Sequence, residues 1–182
     1  MEESGIVMSM RKESLESISG IVDVGIIVIS HFENPARLEA LVFLKKVLKR
    51  EIKALIPVTT FLGAYYIMID CLRIPRKEVK DSLVHTLKVR SPAFYEDISV
   101  EDAISALDYA CVYNIESWDG YLVSLAKKFG CNVIYSIDKK LSRVEEIVVI
   151  NPISEQKMKE YHEFIRKLTR KTKNPKIRDN QR

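Results

Sequence analysis

Short β-branched segments alternate with longer helix-like segments along most of this chain. The Val- and Ile-rich runs predict buried strands at 19–29, 54–58, 131–137 and 146–150. Apolar residues at helical spacing predict helices at 35–48, 61–72, 76–89, 100–113 and 118–129. Strands separated by helices must pair in parallel, with right-handed crossovers that cover both faces of the sheet. The sequence therefore predicts a three-layer α/β/α sandwich with a central, mostly parallel sheet.

The 182 residues suffice for one domain with additions at its ends. We divide them into an N-terminal extension (1–18), a globular domain (19–152), a C-terminal helix (153–169) and a basic, flexible tail (170–182). Residues 151–182 carry a net charge of +6, whereas residues 1–150 carry −2. Such a tail either attracts phosphate by counterion release or only keeps the protein soluble.

Composition excludes several classes of protein. A chain that is 47% apolar can bury a core, which argues against disorder. Its three cysteines include no C-x-x-C pair, so we expect buried, reduced thiols rather than disulfides or a zinc site. No apolar run is long enough for a bilayer span, and no glycine-rich phosphate loop is present. We expect a cytoplasmic protein that does not contact a membrane.

Asp23 interrupts the first apolar run, between Val22 and Val24. A carboxylate buried without a partner costs several kcal/mol or undergoes a large rise in pKa. Backbone amides or a buried Arg could satisfy it. However, parallel α/β sheets place their sites at the carboxyl ends of their strands. We therefore favour a functional carboxylate at this position.

Two further acids follow or begin predicted elements. Asp138 follows the third strand, where it either caps a helical turn or faces a site. Asp119 lies near the start of a helix, where an acid complements the helix dipole. Leu122 and Ala126 follow it at helical spacing, so Asp119 lies on the core-facing stripe. An acid on that stripe requires a cation.

The predicted topology brings Asp23, Asp119 and Asp138 to one edge of the sheet. Clustered carboxylates repel one another unless a hard divalent cation neutralises them, and oxygen ligands select Mg²⁺ or Mn²⁺. One or two such ions can activate water and stabilise the charge on a phosphate during substitution. We expect the three carboxyl carbons to lie within about 10 Å of one another, the span that one or two ions can bridge.

Three short segments resemble the PIN-domain ribonucleases, a family that includes the toxins of many prokaryotic toxin–antitoxin pairs. They are Ile-Val-Asp at 21–23, Glu-Ser-Trp-Asp-Gly-Tyr-Leu at 116–122 and Ile-Tyr-Ser-Ile-Asp at 134–138. The last segment has a hydroxyl residue two positions before its acid, as that family does. The resemblance covers residues 19–152.

The resemblance implies a metal-dependent endoribonuclease that hydrolyses RNA with Mg²⁺ or Mn²⁺. It assigns metal ligation and catalysis to three acids, with a hydroxyl and a further acid in support: Asp23, Asp119 and Asp138, then Ser136 and Glu116. It also implies that RNA is bound by nearby and tail lysines, namely Lys139, Lys140, Lys171 and Lys173. A homodimer and an antitoxin-like protein are the further partners that such a family member would have.

One position departs from the family pattern. The family usually carries a Glu near the start of the helix after the second strand, and this chain has Gly63 there. Asp70 lies two turns further along, about 10 Å away at helical rise, which is too far to replace it. Glu116 is the acid that would compensate.

The sequence is also compatible with two other functions. A PIN-like domain that has lost turnover would serve as an RNA-binding or protein-interaction module, and Gly63 favours that alternative. A phosphatase or a flap-type nuclease on a similar carboxylate site is the more distant one.

Overall fold

The computed structural model describes residues 18–173, and the side chains of residues 18–170. The N-terminal extension up to residue 17 and the tail from residue 174 lie outside the described residues. Within the described part, a five-stranded, all-parallel sheet has helices on both faces. The predicted α/β/α sandwich is confirmed.

The strands appear in the spatial order β3-β2-β1-β4-β5, and every neighbouring pair is parallel. Their bounds are β1 Gly20–Val22, β2 Ala54–Pro57, β3 Phe94–Tyr95, β4 Val133–Tyr135 and β5 Val148–Ile150. In register, Ile21 of β1 lies beside Leu55 of β2 and Ile134 of β4. β1 is therefore the central strand.

All helices except the first follow the predicted order closely. In chain order, the helices are α1 Val24–Ser30, α2 Arg37–Leu48, α3 Thr59–Tyr66, α4 Arg76–Leu87, α5 Val100–Tyr113, α6 Ser117–Lys128 and α7 Glu155–Lys173. A π-helical turn at Ile67–Cys71 extends α3, and a 3₁₀ helix at Lys139–Arg143 follows β4. Helix α7 runs into the first residues of the stretch that we expected to be a flexible tail.

Two apolar cores flank the sheet because side chains alternate along its strands. Val22 and Ile56 face the core formed with α1–α4 and α7. Ile21, Leu55 and Ile134 face the core formed with α5, α6 and the 3₁₀ helix. Among the described residues, no helix is both long and apolar enough to cross a membrane.

The prediction of one continuous strand at 19–29 is wrong. Only Gly20–Val22 is a strand, and the chain becomes helical at Val24. Ile26 to Ile29 are all buried, so apolar residues occupy every position of this run. Such a run has no hydrophobic periodicity, and a buried helix then cannot be distinguished from a buried strand by sequence. Asp23 caps α1 by accepting a hydrogen bond from the Val24 amide, which starts the helix at that point.

Three smaller expectations also need correction. Strand β3 has two residues, too few for a periodic signal, and we missed it. Leu38, one of the apolar residues at helical spacing on which the prediction of a helix at 35–48 rests, is 72% exposed, because α2 buries the stripe of Ala40, Phe43 and Val47 instead. The cysteines are free, but Cys71 and Cys111 are exposed and Cys131 is half-buried.

Helices α5 and α6 approach each other closely at Gly120, in the first turn of α6. A Cβ atom at this position would overlap the carbonyl oxygen of Ala106 and lie 3.0 Å from the amide nitrogen of Ala110. Glycine is therefore required here by the neighbouring backbone. This contact fixes the start of α6, which carries Asp119.

We predict that Gly120→Ala lowers the free energy of unfolding by about 3 kcal/mol, because a backbone contact cannot relax as a side chain does. Gly130→Ala is the control. Gly130 has φ +65° and no atom within 4 Å of an added Cβ, so only backbone strain of about 1–2 kcal/mol applies. Urea unfolding measures both variants. Equal losses of stability would contradict the close helix contact.

Candidate metal centre

The strand order creates a crevice at the carboxyl ends of β1 and β4. The chain passes from β1 to β2 and β3 on one side, then returns to β4 on the other side of β1. Connections leave these adjacent strands in opposite directions, and ligand sites of open α/β sheets lie at this switch point. Asp23 directly follows β1, and Asp138 lies three residues beyond β4.

Asp23 is 5% exposed, and both of its carboxylate oxygens accept hydrogen bonds. The Val24 amide donates to Oδ1 at 2.5 Å, and the Ser136 hydroxyl donates to Oδ2 at 2.5 Å. Burial raises the pKa of Asp23, while the hydrogen bonds from Ser136 and the backbone act in the opposite direction. A backbone amide, which the sequence analysis gave as one possible partner of Asp23, is therefore bonded to this carboxylate. Asp23 nevertheless lies at the edge of the crevice, directly after β1.

Ser136 joins two of the acidic segments. Its hydroxyl is fully buried, donates to Asp23 Oδ2 and accepts a hydrogen bond from the Asp138 amide at 2.9 Å. Asp138 in turn caps the 3₁₀ helix by accepting from the Lys140 amide at 2.8 Å. One hydroxyl therefore positions an acid on each of the two strands.

Three acidic side chains lie close together near the carboxyl ends of β1 and β4. One ligand oxygen each from Glu116, Asp119 and Asp138 lies within 4.8 Å of the others. Asp119 is 8% exposed, and its Oδ2 is buried with no hydrogen-bond partner among the described residues. A buried carboxylate oxygen without a donor is costly, and a cation would satisfy it. We call Glu116, Asp119 and Asp138 the acidic cluster.

The acidic cluster is charged unevenly. Burial, followed by the hydrogen bond with Glu116 and the negative charges of Asp23, Glu116 and Asp138, together raise the pKa of Asp119 from 3.8 to about 7. The Glu116 carboxylate has the opposite shift, chiefly because Lys140 donates a hydrogen bond to it, which lowers its pKa to about 2. Without a cation, the cluster therefore retains a proton on Asp119 near neutral pH.

Lys140 forms the ion pair that balances Glu116, with Nζ and Oε1 2.6 Å apart. Both side chains are about half exposed, so the pair is open to exchange with solvent ions. Lys139 beside it is exposed. The side chains of Lys171 and Lys173 lie outside the described residues, so their expected contact with RNA stays a prediction.

The donor set suits a hard divalent ion. All three cluster residues offer carboxylate oxygen, the ligand that Mg²⁺, Mn²⁺ and Ca²⁺ share. The acidic cluster could therefore hold a metal ion, with Asp119 Oδ2 as its unsatisfied ligand. Asp23 acts on the cluster through its charge, and its own two oxygens are held by Val24 and Ser136.

Sequence reasoning placed Glu116 only in a supporting role, whereas the structure brings it into the cluster in place of Asp23. The signal was available, since Glu116 and Asp119 are three residues apart at a helix start and so share a face. The pairing of Lys140 with Glu116 depends on the fold of two distant segments, which no local pattern reveals. Gly63 lines the same cavity as Asp23, and as a glycine it brings no second carboxylate to that wall.

Comparison with known proteins gives no identification. No family model matches the chain, and no curated protein matches it significantly. The fold and the site therefore define an α/β protein with a candidate metal centre at its topological switch point.

We predict that Asp119→Asn stabilises the metal-free protein, and more at pH 8 than at pH 5. The folded state binds the Asp119 proton more tightly than the unfolded chain does. Stability contributed by this group is therefore lost as pH rises from its ordinary value of 3.8 through about 7. Urea unfolding at the two pH values in EDTA measures the difference.

Mg²⁺ or Mn²⁺ should raise the melting temperature of the wild type more at pH 8 than at pH 5, because the ion binds the deprotonated acids. Asp119→Asn should lose most of this effect. A stability difference between the two proteins that is the same at both pH values would contradict the raised pKa of Asp119.

Proposed function

We propose that this chain is a metal-dependent endoribonuclease of the PIN-domain type that hydrolyses phosphodiester bonds of RNA. The observation that carries the proposal is the unsatisfied, buried Asp119 Oδ2 next to the carboxylates of Glu116 and Asp138 at the switch point. Such an arrangement destabilises the metal-free fold, because the buried carboxylate oxygen has no positively charged partner. A bound cation would be that partner. The order of the three PIN-like segments along the chain agrees with this function.

A phosphodiester is the substrate class that fits the charges of the site. The acidic cluster alone repels phosphate, and a divalent ion reverses the sign of the local charge. Lys139 and Lys140 directly follow Asp138. Their positive side chains are therefore next to the cluster, where they can bind the neighbouring phosphates of an RNA strand. The basic charge of residues 151–182 adds an attraction that does not depend on RNA sequence.

Each residue of the site has a distinct role in the proposed reaction. Asp119, Asp138 and Glu116 would hold the ion. Ser136 positions Asp23 and Asp138 through its hydrogen bonds to the Asp23 carboxylate and the Asp138 amide. When bound, the ion supplies Lewis acidity that activates water and neutralises phosphate charge. In this hydrolysis, a water oxygen bonds to phosphorus, the bond between phosphorus and the ribose leaving oxygen breaks, and the leaving oxygen takes up a proton that the water gives up.

A second candidate function is a PIN-like module that binds RNA or protein without turnover. Two observations favour it: Gly63 stands where the family usually has a Glu, and Lys140 already pairs with Glu116. In that case the ion pair would persist when RNA binds. The two candidates differ in whether RNA is cleaved when a divalent ion is supplied.

We predict that the full chain cleaves single-stranded RNA with Mg²⁺ or Mn²⁺ and that EDTA abolishes the cleavage. Asp119→Asn and Asp138→Asn should each lower the rate by about 100-fold or more, because each removes a charged ligand of the ion. Electrophoresis of end-labelled RNA measures the rate. Millimolar ion concentrations should be needed, since three acids bind a hard ion weakly when water completes its shell.

The matched control is Asp108→Asn, which removes one charge from an exposed Asp on α5 outside the acidic cluster. It should leave the cleavage rate unchanged. If the wild type binds RNA but does not cleave it with any of these ions, the nuclease is excluded and the binding module remains. If Asp108→Asn lowers the rate as much as Asp119→Asn, net charge rather than metal ligation explains the loss.

A further inference from the structure

A cavity of about 200 Å³ lies between α3 and α6, directly beside Asp23. Its wall includes Thr59, Gly63, Tyr66 and Trp118 and is mostly apolar. The Ser136 hydroxyl hydrogen-bonds to both Asp23 and the Asp138 amide, and Trp118 of the cavity wall directly precedes Asp119, so the cavity and the candidate metal centre are neighbours. A molecule that binds at one can extend into the other.

Gly63 keeps this space open. A Cβ atom there would meet only Val24 Cγ2 within 4 Å, at 3.3 Å. The backbone at Gly63 is helical, so no unusual φ requires a glycine at this position. Glycine in a helix also costs about 1 kcal/mol relative to alanine. The close approach of Val24 is therefore the one packing contact that favours glycine at this position, and a second effect of Gly63 is to leave room beside Asp23.

Two aromatic rings border the same cavity and face solvent. Trp118 is 54% exposed, and Tyr66 is 63% exposed. Tyr66 belongs to α3 and Trp118 to α6, and both side chains line this cavity. Exposed aromatic side chains next to a cavity are suited to stacking on a planar ring.

The chemistry of the cavity selects its occupant. Asp23 and the acidic cluster disfavour a second anion, and an apolar wall disfavours a strongly hydrated group. A neutral, planar, partly polar ring attached to a phosphate meets both conditions. An unstacked nucleobase is such a ring. Aromatic side chains can stack on any of the bases, because every base has a π face.

We propose that the cavity at Gly63 binds one unstacked base of a single-stranded RNA, next to the phosphate at the acidic cluster. This inference rests on the proposed function, because it assigns the RNA strand to the metal centre. It makes the enzyme selective for single-stranded or looped RNA, since a base in a duplex is stacked on both faces. It also gives Gly63 a role in substrate binding in place of the usual acid.

Trp118 is the only tryptophan of the chain, so its fluorescence reports on the cavity directly. We predict that a ten-nucleotide single-stranded RNA in Mg²⁺ quenches this fluorescence in a stopped-flow measurement, which records binding before cleavage. An RNA of the same length with abasic sites should quench much less. Gly63→Leu should abolish the quenching by filling the cavity.

Tyr66→Ala should weaken RNA binding about 5- to 150-fold, the range for loss of one stacking partner. Leu62→Ala is its control, because Leu62 is exposed on the same helix but does not line the cavity. It should bind RNA as the wild type does. Circular dichroism and melting temperature establish that each variant folds.

The outcomes separate this inference from the proposed function. Quenching by intact RNA that is lost in Gly63→Leu supports the base site even if no cleavage occurs, and that result overturns only the nuclease. RNA cleavage with equal binding of intact and abasic RNA overturns the base site and leaves the nuclease in place. Binding of a duplex as tightly as the single strand also overturns the base site.

Discussion

The parallel pairing of β1 with β4 is the constraint on which the rest of the site depends. Val22 lies beside Tyr135, and the Asp23 amide extends the ladder by donating to the Tyr135 carbonyl at 3.0 Å. The Ser136 hydroxyl then joins Asp23 to the Asp138 backbone at the point where both strands end. A shift of one residue in this register would turn these side chains to opposite faces of the sheet.

This arrangement concentrates negative charge that the side chains of the fold neutralise only in part. Lys140 balances Glu116, a proton balances Asp119 near neutral pH, and hydrogen bonds hold Asp23. The conflict between local charge and stability is typical of functional sites, where a protein gives up stability for a ligand. The close contact of α5 with α6 keeps Asp119 in that unfavourable position.

The sequence predicts the layers, the parallel sheet and most helices because apolar periodicity records burial on each element. It fails at 24–29, where burial on every side removes the period, and at β3, which is too short to have one. Asp119 and Asp138 follow from their places at element ends. The grouping of Glu116 with them, its pairing with Lys140 and the cavity at Gly63 arise from contacts between distant segments. The PIN-type assignment stays a prediction.

Anomalous scattering of Mn²⁺ in crystals of the full chain soaked at pH 8 tests most directly whether the acidic cluster holds a metal ion. We expect a peak among Glu116, Asp119 and Asp138, with Asp119 Oδ2 as a ligand and Lys140 Nζ displaced from Glu116. If the cluster has no peak and the ion pair between Lys140 and Glu116 persists at saturating Mn²⁺, the acidic cluster is not a metal site.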